Sequence, residues 1–167
     1  MSFTVRPVTS TDAPALASLI NPIIRAGNTT ALEAEFTAGA LDAVYLTGPK
    51  VHCCHVAIDE TGEVAAFQTL GRYPGLPDDV GDIGTFAALD RKQSGAGSAL
   101  FAATTARARD LGHSAINATI RADNVGGLAF YAKLGFADHG VTPAMPLADG
   151  TPVDRVHKRY SLISRET

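Results

Sequence analysis

The chain predicts an α+β fold, with a central mixed, mostly antiparallel sheet and helices on its faces. Three observations carry that prediction. Val51 to Ile58 and Val64 to Tyr73 are apolar, β-branched runs joined by the turn Asp59-Glu60-Thr61-Gly62, the pattern of a hairpin. An Ala-rich stretch from Gly95 to Leu111 lies between two strand-like segments, 82–89 and 114–120, the pattern of a helical crossover. The full order, β-α-α-β-β-β-α-β-α-β-β, mixes hairpins with crossovers, which a doubly wound parallel sheet does not.

Taken in order, residues 3–8 alternate as an opening strand. Thr9-Ser10-Thr11-Asp12 followed by Pro14 marks the start of a helix over about 12–26. Pro22 removes a backbone donor inside that helix, so a kink or an end is expected near Asn21, before Gly27-Asn28. A second helix is expected over roughly 31–46. The hairpin comes next, then a proline- and glycine-rich loop over 74–81, the strand at 82–89 and the helix at 95–111, which Gly112 stops. After the strand at 114–120, Asp123-Asn124 opens a short helix that runs to Leu134 and ends at Gly135. Two extended pieces, near 136–142 and 153–163, close a single domain without repeats or linkers.

At 167 residues, with 46% hydrophobic and 19% charged residues, the chain suits one ordinary globular core. The 14 basic and 17 acidic residues form no long basic run, which argues against a nucleic-acid-binding surface. No apolar stretch is long enough to cross a bilayer and the N-terminus lacks a signal-peptide pattern, so the expected location is cytoplasmic. Cys53 and Cys54 are adjacent, which disfavours a disulfide between them and fits free, buried thiols.

Lys92-Gln93-Ser94-Gly95-Ala96-Gly97-Ser98 joins a strand to the first turn of the long helix, where several backbone N–H groups lack helical partners. Small residues let an anion come within hydrogen-bonding distance of those amides, and the helix dipole adds about half a positive charge. A Walker A loop would need Gly-Lys-Ser/Thr, and a dinucleotide fingerprint a third glycine where Leu100 stands. The plainer reading is a tight turn whose small residues let the helix pack closely.

Those residues also resemble the acetyl-CoA motif Q/R-x-x-G-x-G/A of the GCN5-related N-acetyltransferase (GNAT) superfamily, with Lys92 where Gln or Arg is usual. Asn124 stands seven residues before Tyr131, and Phe130-Tyr131-Ala132-Lys133-Leu134-Gly135-Phe136 is similar to the second family signature, a helix ending in Gly-Phe. The clear likeness covers about 82–136. Leu19-Ile20-Asn21, Asn28-Thr29-Thr30 and Glu33 to Phe36 loosely resemble the branch that acetylates amino acids and phosphinothricin-type herbicides.

The resemblance implies an acetyl-CoA-dependent N-acetyltransferase that moves the acetyl group directly to the primary amine of a small molecule, without a metal. Thr85, Phe86 and Ala87 would pair with the pantetheine arm like an added strand, splayed from the strand at 114–120. Lys92 heads the loop in which Gln93, Ser94, Gly95, Ala96, Gly97 and Ser98 would hold the pyrophosphate. Asn124 would bond the pantetheine amide; its plainer reading is a helix N-cap. Tyr131 would protonate or hydrogen-bond the departing thiolate, against the plainer reading of a core tyrosine. Asp82 lies near where many relatives carry a glutamate base, and Glu33 and Glu35 fall where the acceptor pocket commonly lies. Relatives that acetylate ribosomal protein N-termini carry a glutamate where this chain has Thr119, which disfavours that acceptor. A peptide or protein amine as acceptor, and a noncatalytic acyl-CoA-binding module, stay open as alternatives. A homodimer stays open too, its one internal hint a tail strand that would pair across subunits.

His52-Cys53-Cys54-His55 holds two metal-ligand types, but strand alternation sends His52 and Cys54 one way and Cys53 and His55 the other, which argues against a metal site.

Overall fold

A computed structural model describes residues 2–92 and 94–163. The elements are β1 (Thr4–Pro7), α1 (Ala13–Ala26), α2 (Ala38–Leu41), β2 (Val51–Ile58), β3 (Val64–Gly71), β4 (Val80–Ala87), α3 (Ala96–Asp110), β5 (Ala115–Arg121), α4 (Val125–Leu134), β6 (Ala137–Pro146) and β7 (Pro152–Ser161). Seven strands form one sheet in the order β1-β2-β3-β4-β5-β7-β6. Only β4 and β5 run parallel; every other neighbouring pair is antiparallel. The α+β architecture and the hairpin are as the sequence predicts. Asp59 closes the hairpin, its Oδ1 accepting from the N–H of Thr61 and Glu63, while Gly62 takes a positive φ of 87°.

Alternation along the strands sorts the layers. On one face, Leu16, Ile20, Ile23 and Ile24 of α1 pack with Leu41, Val56 and Phe67. On the other, α3 and α4 cover Ile83, Ile116, Ala118 and Ile120 through Phe101, Ala108 and Tyr131. Asn117, Thr119 and Arg121 of β5 therefore point to the α1 side. There the helices stop short of β5 and β7, so this half of the face carries polar side chains.

Two expectations change. Helix α1 passes through Pro22 to Ala26; the carbonyl that loses its partner belongs to Ser18, which is solvent-exposed and open to hydration. The helix expected over 31–46 is an irregular segment to Thr37, followed by the four residues of α2 and a π-helical turn over Asp42–Leu46. Its first part cannot coil because Asn21 takes both backbone groups of Phe36: Oδ1 accepts from the Phe36 N–H at 2.8 Å and Nδ2 donates to its carbonyl at 2.9 Å. Of the two tail strands, β7 is bonded to β5 on one edge and β6 on the other, and β6 is the last strand of the sheet. Among the described residues, no helix is long and apolar enough to cross a membrane.

Replacing Asn21 with Ala removes both bonds to Phe36. The expected result is a loss of about 1–3 kcal/mol in chemical denaturation, with faster hydrogen exchange at the Phe36 amide than at amides of the sheet.

Candidate active site

Strands β4 and β5 pair only from Val80 opposite Ala115 to Ile83 opposite Ala118. Beyond that point β4 stays on β3 as far as Ala87 and β5 stays on β7 as far as Arg121. The edge of Gly84–Ala87 that faces β5 thus has no strand partner, and a cleft of about 1340 Å³ opens there. Thr85, Phe86 and Ala87 form one lip and Thr119, Ile120 and Arg121 the other.

Lys92, Ser94, Gly95, Ala96, Gly97 and Ser98 close one end of this cleft; Gln93 lies outside the described residues. Gly95 caps α3 in the left-handed region at φ 90°, which favours glycine. The first bond of the helix runs from the Ala99 N–H to the Gly95 carbonyl at 3.1 Å, so the N–H groups of Ala96, Gly97 and Ser98 have no partner in the helix. Ser94 Oγ is buried without a hydrogen-bond partner. Free amides at a helix N-terminus, with an unsatisfied hydroxyl beside them, are suited to a phosphate. Gly97 has a second reason to be small: a Cβ there would meet the Phe130 ring of α4 at 2.7 Å. The close-packing reading of this loop therefore holds at Gly97 alongside the anion reading.

Tyr131 is buried at the base of the cleft. Its hydroxyl donates to Thr85 Oγ1 at 3.0 Å. The same oxygen accepts from Gln68 Nε2 at 2.9 Å, and Gln68 Oε1 accepts from the Thr104 hydroxyl at 2.6 Å. This chain of buried bonds fixes the phenol, and desolvation raises its pKa above the ordinary value, so it keeps its proton.

Asp82 lies on the opposite face of β4 from Thr85, three residues away. Its Oδ1 accepts from Asn117 Nδ2 at 2.8 Å and from the Thr119 hydroxyl at 3.3 Å. Desolvation in the cleft pushes its pKa up to about 6, against the opposing pull of those two bonds. A carboxylate poised near neutrality can accept a proton and release it. The splay lets groups from both faces of the sheet reach one gap.

Asn124 reaches the cleft but is largely committed. Its Oδ1 caps α4 at the Gly127 N–H, 2.9 Å away, and its Nδ2 donates to the Thr29 carbonyl at 2.6 Å. One N–H and one lone pair are left for a ligand. Glu33 and Glu35 are not brought to the cleft: Glu33 accepts from the Ala148 N–H at 2.8 Å, and Glu35 pairs with Arg25 on the surface. His52 and His113 bond each other through their rings at 2.9 Å. Cys53 and Cys54 are free, their thiols pushed up to about 11 and about 12 by burial. Among the described residues, no group of three or more candidate ligands could hold a metal ion.

The sequence profile of the acetyltransferase (GNAT) family matches residues 23–136. The chain belongs to this family. Solved structures share its fold along nearly the whole chain. A phosphinothricin N-acetyltransferase, provisionally assigned as such, superposes with a TM-score of 0.83 at 25% identity, over 98% of this chain and 100% of that one. YncA from Salmonella typhimurium, provisionally assigned as an acetyltransferase and solved with acetyl-CoA, gives 0.80 at 16%, over 100% and 98%. A phosphinothricin acetyltransferase from Sinorhizobium meliloti, also with acetyl-CoA, gives 0.82 at 18%, over 96% and 89%. Among curated proteins, no sequence match is found.

This GNAT acetyltransferase has site residues that sequence reasoning missed. Tyr45, from the π-helical turn, and Thr29 and Thr30, from the irregular segment, all line the cleft. Tyr45 was hidden because a regular helix was expected over roughly 31–46; Thr29 and Thr30 stand just before that span. Asn117 and Thr119 carry a readable signal, two polar residues at alternate positions in an otherwise apolar strand.

Two substitutions separate the reasons for small residues in this GNAT loop. Gly95→Ala puts a Cβ into a left-handed conformation and is expected to cost roughly 1–2 kcal/mol of stability. Gly97→Val crowds Phe130 and is expected to cost about 1–3 kcal/mol. Replacing Phe130 with Leu in the Gly97→Val background should recover part of the second loss and none of the first, as read by chemical denaturation.

Proposed function

We propose that this chain transfers the acetyl group of acetyl-CoA to the primary amine of a small molecule. The observation that carries the reading is the unpaired edge of Gly84–Ala87, which leads to the free amides of Ala96–Ser98. An extended pantetheine arm needs the first and a diphosphate the second. The unpartnered Ser94 hydroxyl and the left-handed Gly95 fit the same occupant. Lys92 and its sequence neighbour Gln93 belong to the same loop, and Asn124 has one donor left for the arm's amide.

Acetyl-CoA supplies a thioester carbonyl open to attack by an amine. The chain's own groups handle the protons. Asp82 accepts one from the attacking nitrogen as the C–N bond forms, directly or through water. The Ala87 N–H, on the edge of β4 that faces away from β3, borders the carbonyl and polarises it. Tyr131, fixed by Thr85, gives its proton to the sulfur as the C–S bond breaks, and is reprotonated from solvent. Base and acid stand on opposite faces of the sheet, so the amine enters on one side as the thiol leaves on the other. The two acetyl-CoA complexes among the structural neighbours support the donor, and the phosphinothricin enzymes support a small acceptor.

Thiol release from acetyl-CoA, measured across amino acids, polyamines, aminoglycosides and short peptides, tests the reading. Turnover with small amines and none with peptides is the expected outcome; turnover restricted to peptides overturns it. Tyr131→Phe should lower kcat by about a hundredfold or more, with little change in the affinity for CoA. For Asp82 the sign follows from its state: the carboxylate is active when ionised, so kcat at saturating acceptor should fall as pH drops through about 6. That acidic limb should vanish in Asp82→Asn together with most of the activity.

A further inference from the structure

The loop suited to the diphosphate is reached through a short 3-10 turn, Leu89–Arg91, which follows β4 and leads into Lys92. Such a loop grips its ligand only if its groups are held within about half an ångström of the productive geometry, so the turn that carries it has to be fixed. Burial of apolar surface does little of this, because Leu89, the turn's large apolar side chain, is 47% exposed.

Polar contacts do it instead. Ala66 stands opposite Ala87, so the β2–β3 hairpin and the segment after β4 leave the sheet at the same end. There the Ala88 N–H donates to the Ala65 carbonyl at 2.9 Å, and the Arg91 N–H donates to the Ala88 carbonyl at 2.8 Å. The Arg91 side chain then reaches the hairpin turn: its Nη2 lies 2.6 Å from Asp59 Oδ2. The contact is a charge pair rather than an aligned hydrogen bond.

A hairpin aspartate usually faces water, yet the Asp59 side chain is only 3% exposed. Its Oδ1 serves the turn, accepting from the Thr61 N–H and hydroxyl and from the Glu63 N–H. The bond from the Thr61 hydroxyl foremost, with those two amides, holds its carboxyl below the ordinary range, so it is ionised. Its Oδ2 meets the guanidinium, without which a buried carboxylate would be costly. Arg91 lines the cleft, but it faces Glu63 at 3.4 Å and Asp90 at 3.9 Å as well as Asp59. A cation among three carboxylates is better placed to hold the turn than to meet a phosphate.

Resting on the acetyltransferase reading above, we propose that Asp59 is a positioning residue for the cofactor: through Arg91 it fixes the turn that carries the phosphate loop, and so strengthens the hold on the diphosphate of acetyl-CoA. It does so from outside the cleft, since none of Asp59–Gly62 lines it.

Asp59→Asn tests this, because the amide keeps an acceptor for Thr61 and Glu63 and loses the charge that pairs with Arg91. Asp59→Ser, which also caps a turn, serves as a second variant. Two donors are compared: acetyl-CoA, and S-acetylpantetheine, which carries the arm without the diphosphate. Either variant should raise KM for acetyl-CoA by about tenfold with kcat near the parent, and leave kcat/KM for S-acetylpantetheine within about twofold. Arg91→Met should do the same, and the Asp59→Asn and Arg91→Met pair together should lose no more than either alone. Glu63→Gln, whose side chain is 76% exposed, should match the parent with both donors.

The sign separates positioning from a field effect, since removing a negative charge near the loop would by itself tighten a phosphate. An unchanged or lowered KM for acetyl-CoA in Asp59→Asn therefore overturns the proposal. Equal losses with both donors overturn it as well, and a loss in Arg91→Met alone overturns it by assigning Arg91 to the phosphate directly. Turnover of acetyl-CoA leaves the transferase reading standing in each of these cases. A second measurement needs no turnover: without cofactor, hydrogen exchange at the Arg91 amide should be faster in Asp59→Asn than in the parent, with the amides of β2 and β3 unchanged. Equal exchange at Arg91 in the two proteins would overturn the proposal.

Discussion

The parting of two parallel strands is the constraint on which the rest depends. Four residue pairs hold β4 to β5, and then each strand follows its other neighbour. A sheet interrupted in this way exposes backbone donors and acceptors in its middle, where they are costly unless something pairs with them. The protein fills the gap in part, with Tyr131 bonded to Thr85 on one side and Asp82 bonded to Asn117 and Thr119 on the other. What is left open has the shape of an extended chain. The loop before α3 completes it, because the helix begins where the lip of the gap ends.

The same parting explains how one site draws on two faces of a sheet. In a continuous sheet, Asp82 and Thr85 would be separated by the sheet itself. Here the α3 and α4 side supplies a phenol kept protonated by burial, and the α1 side supplies a carboxylate held near neutrality by burial. Desolvation drives both shifts, and it suits an acid on one face and a base on the other. The α1 side is also where the helices end early, so the open space there is bounded by strand side chains of β5 and β7 and by the segment tied to Asn21, Arg121 and Asn124.

The parts that were legible in the sequence are those set by local chemistry. Asp59 to Gly62 announce a hairpin, Gly95 a left-handed turn into a helix, and Gly135 the end of the next one. The small-residue loop before α3 was legible for the same reason, whereas Tyr131 was singled out through the resemblance to a family signature and lies buried against the cleft. The segment before Thr37 was not, because its backbone is satisfied by a side chain fifteen residues earlier. Pro22 misled in the other direction, since a lost bond on the exposed side of a helix costs little. Glu33 and Glu35 were placed in the site by likeness of element order; once that segment is not helical, they turn to Ala148 and Arg25.

The central claim is that the gap between β4 and β5 takes the pantetheine arm of coenzyme A as an added strand. Amide hydrogen exchange with and without saturating CoA tests it most directly. The account predicts slower exchange at backbone amides within Gly84–Ala87 and at Ala96, Gly97 and Ser98, with β1 and β2 unchanged. Saturable CoA binding that leaves the amides of Gly84–Ala87 unprotected would contradict it.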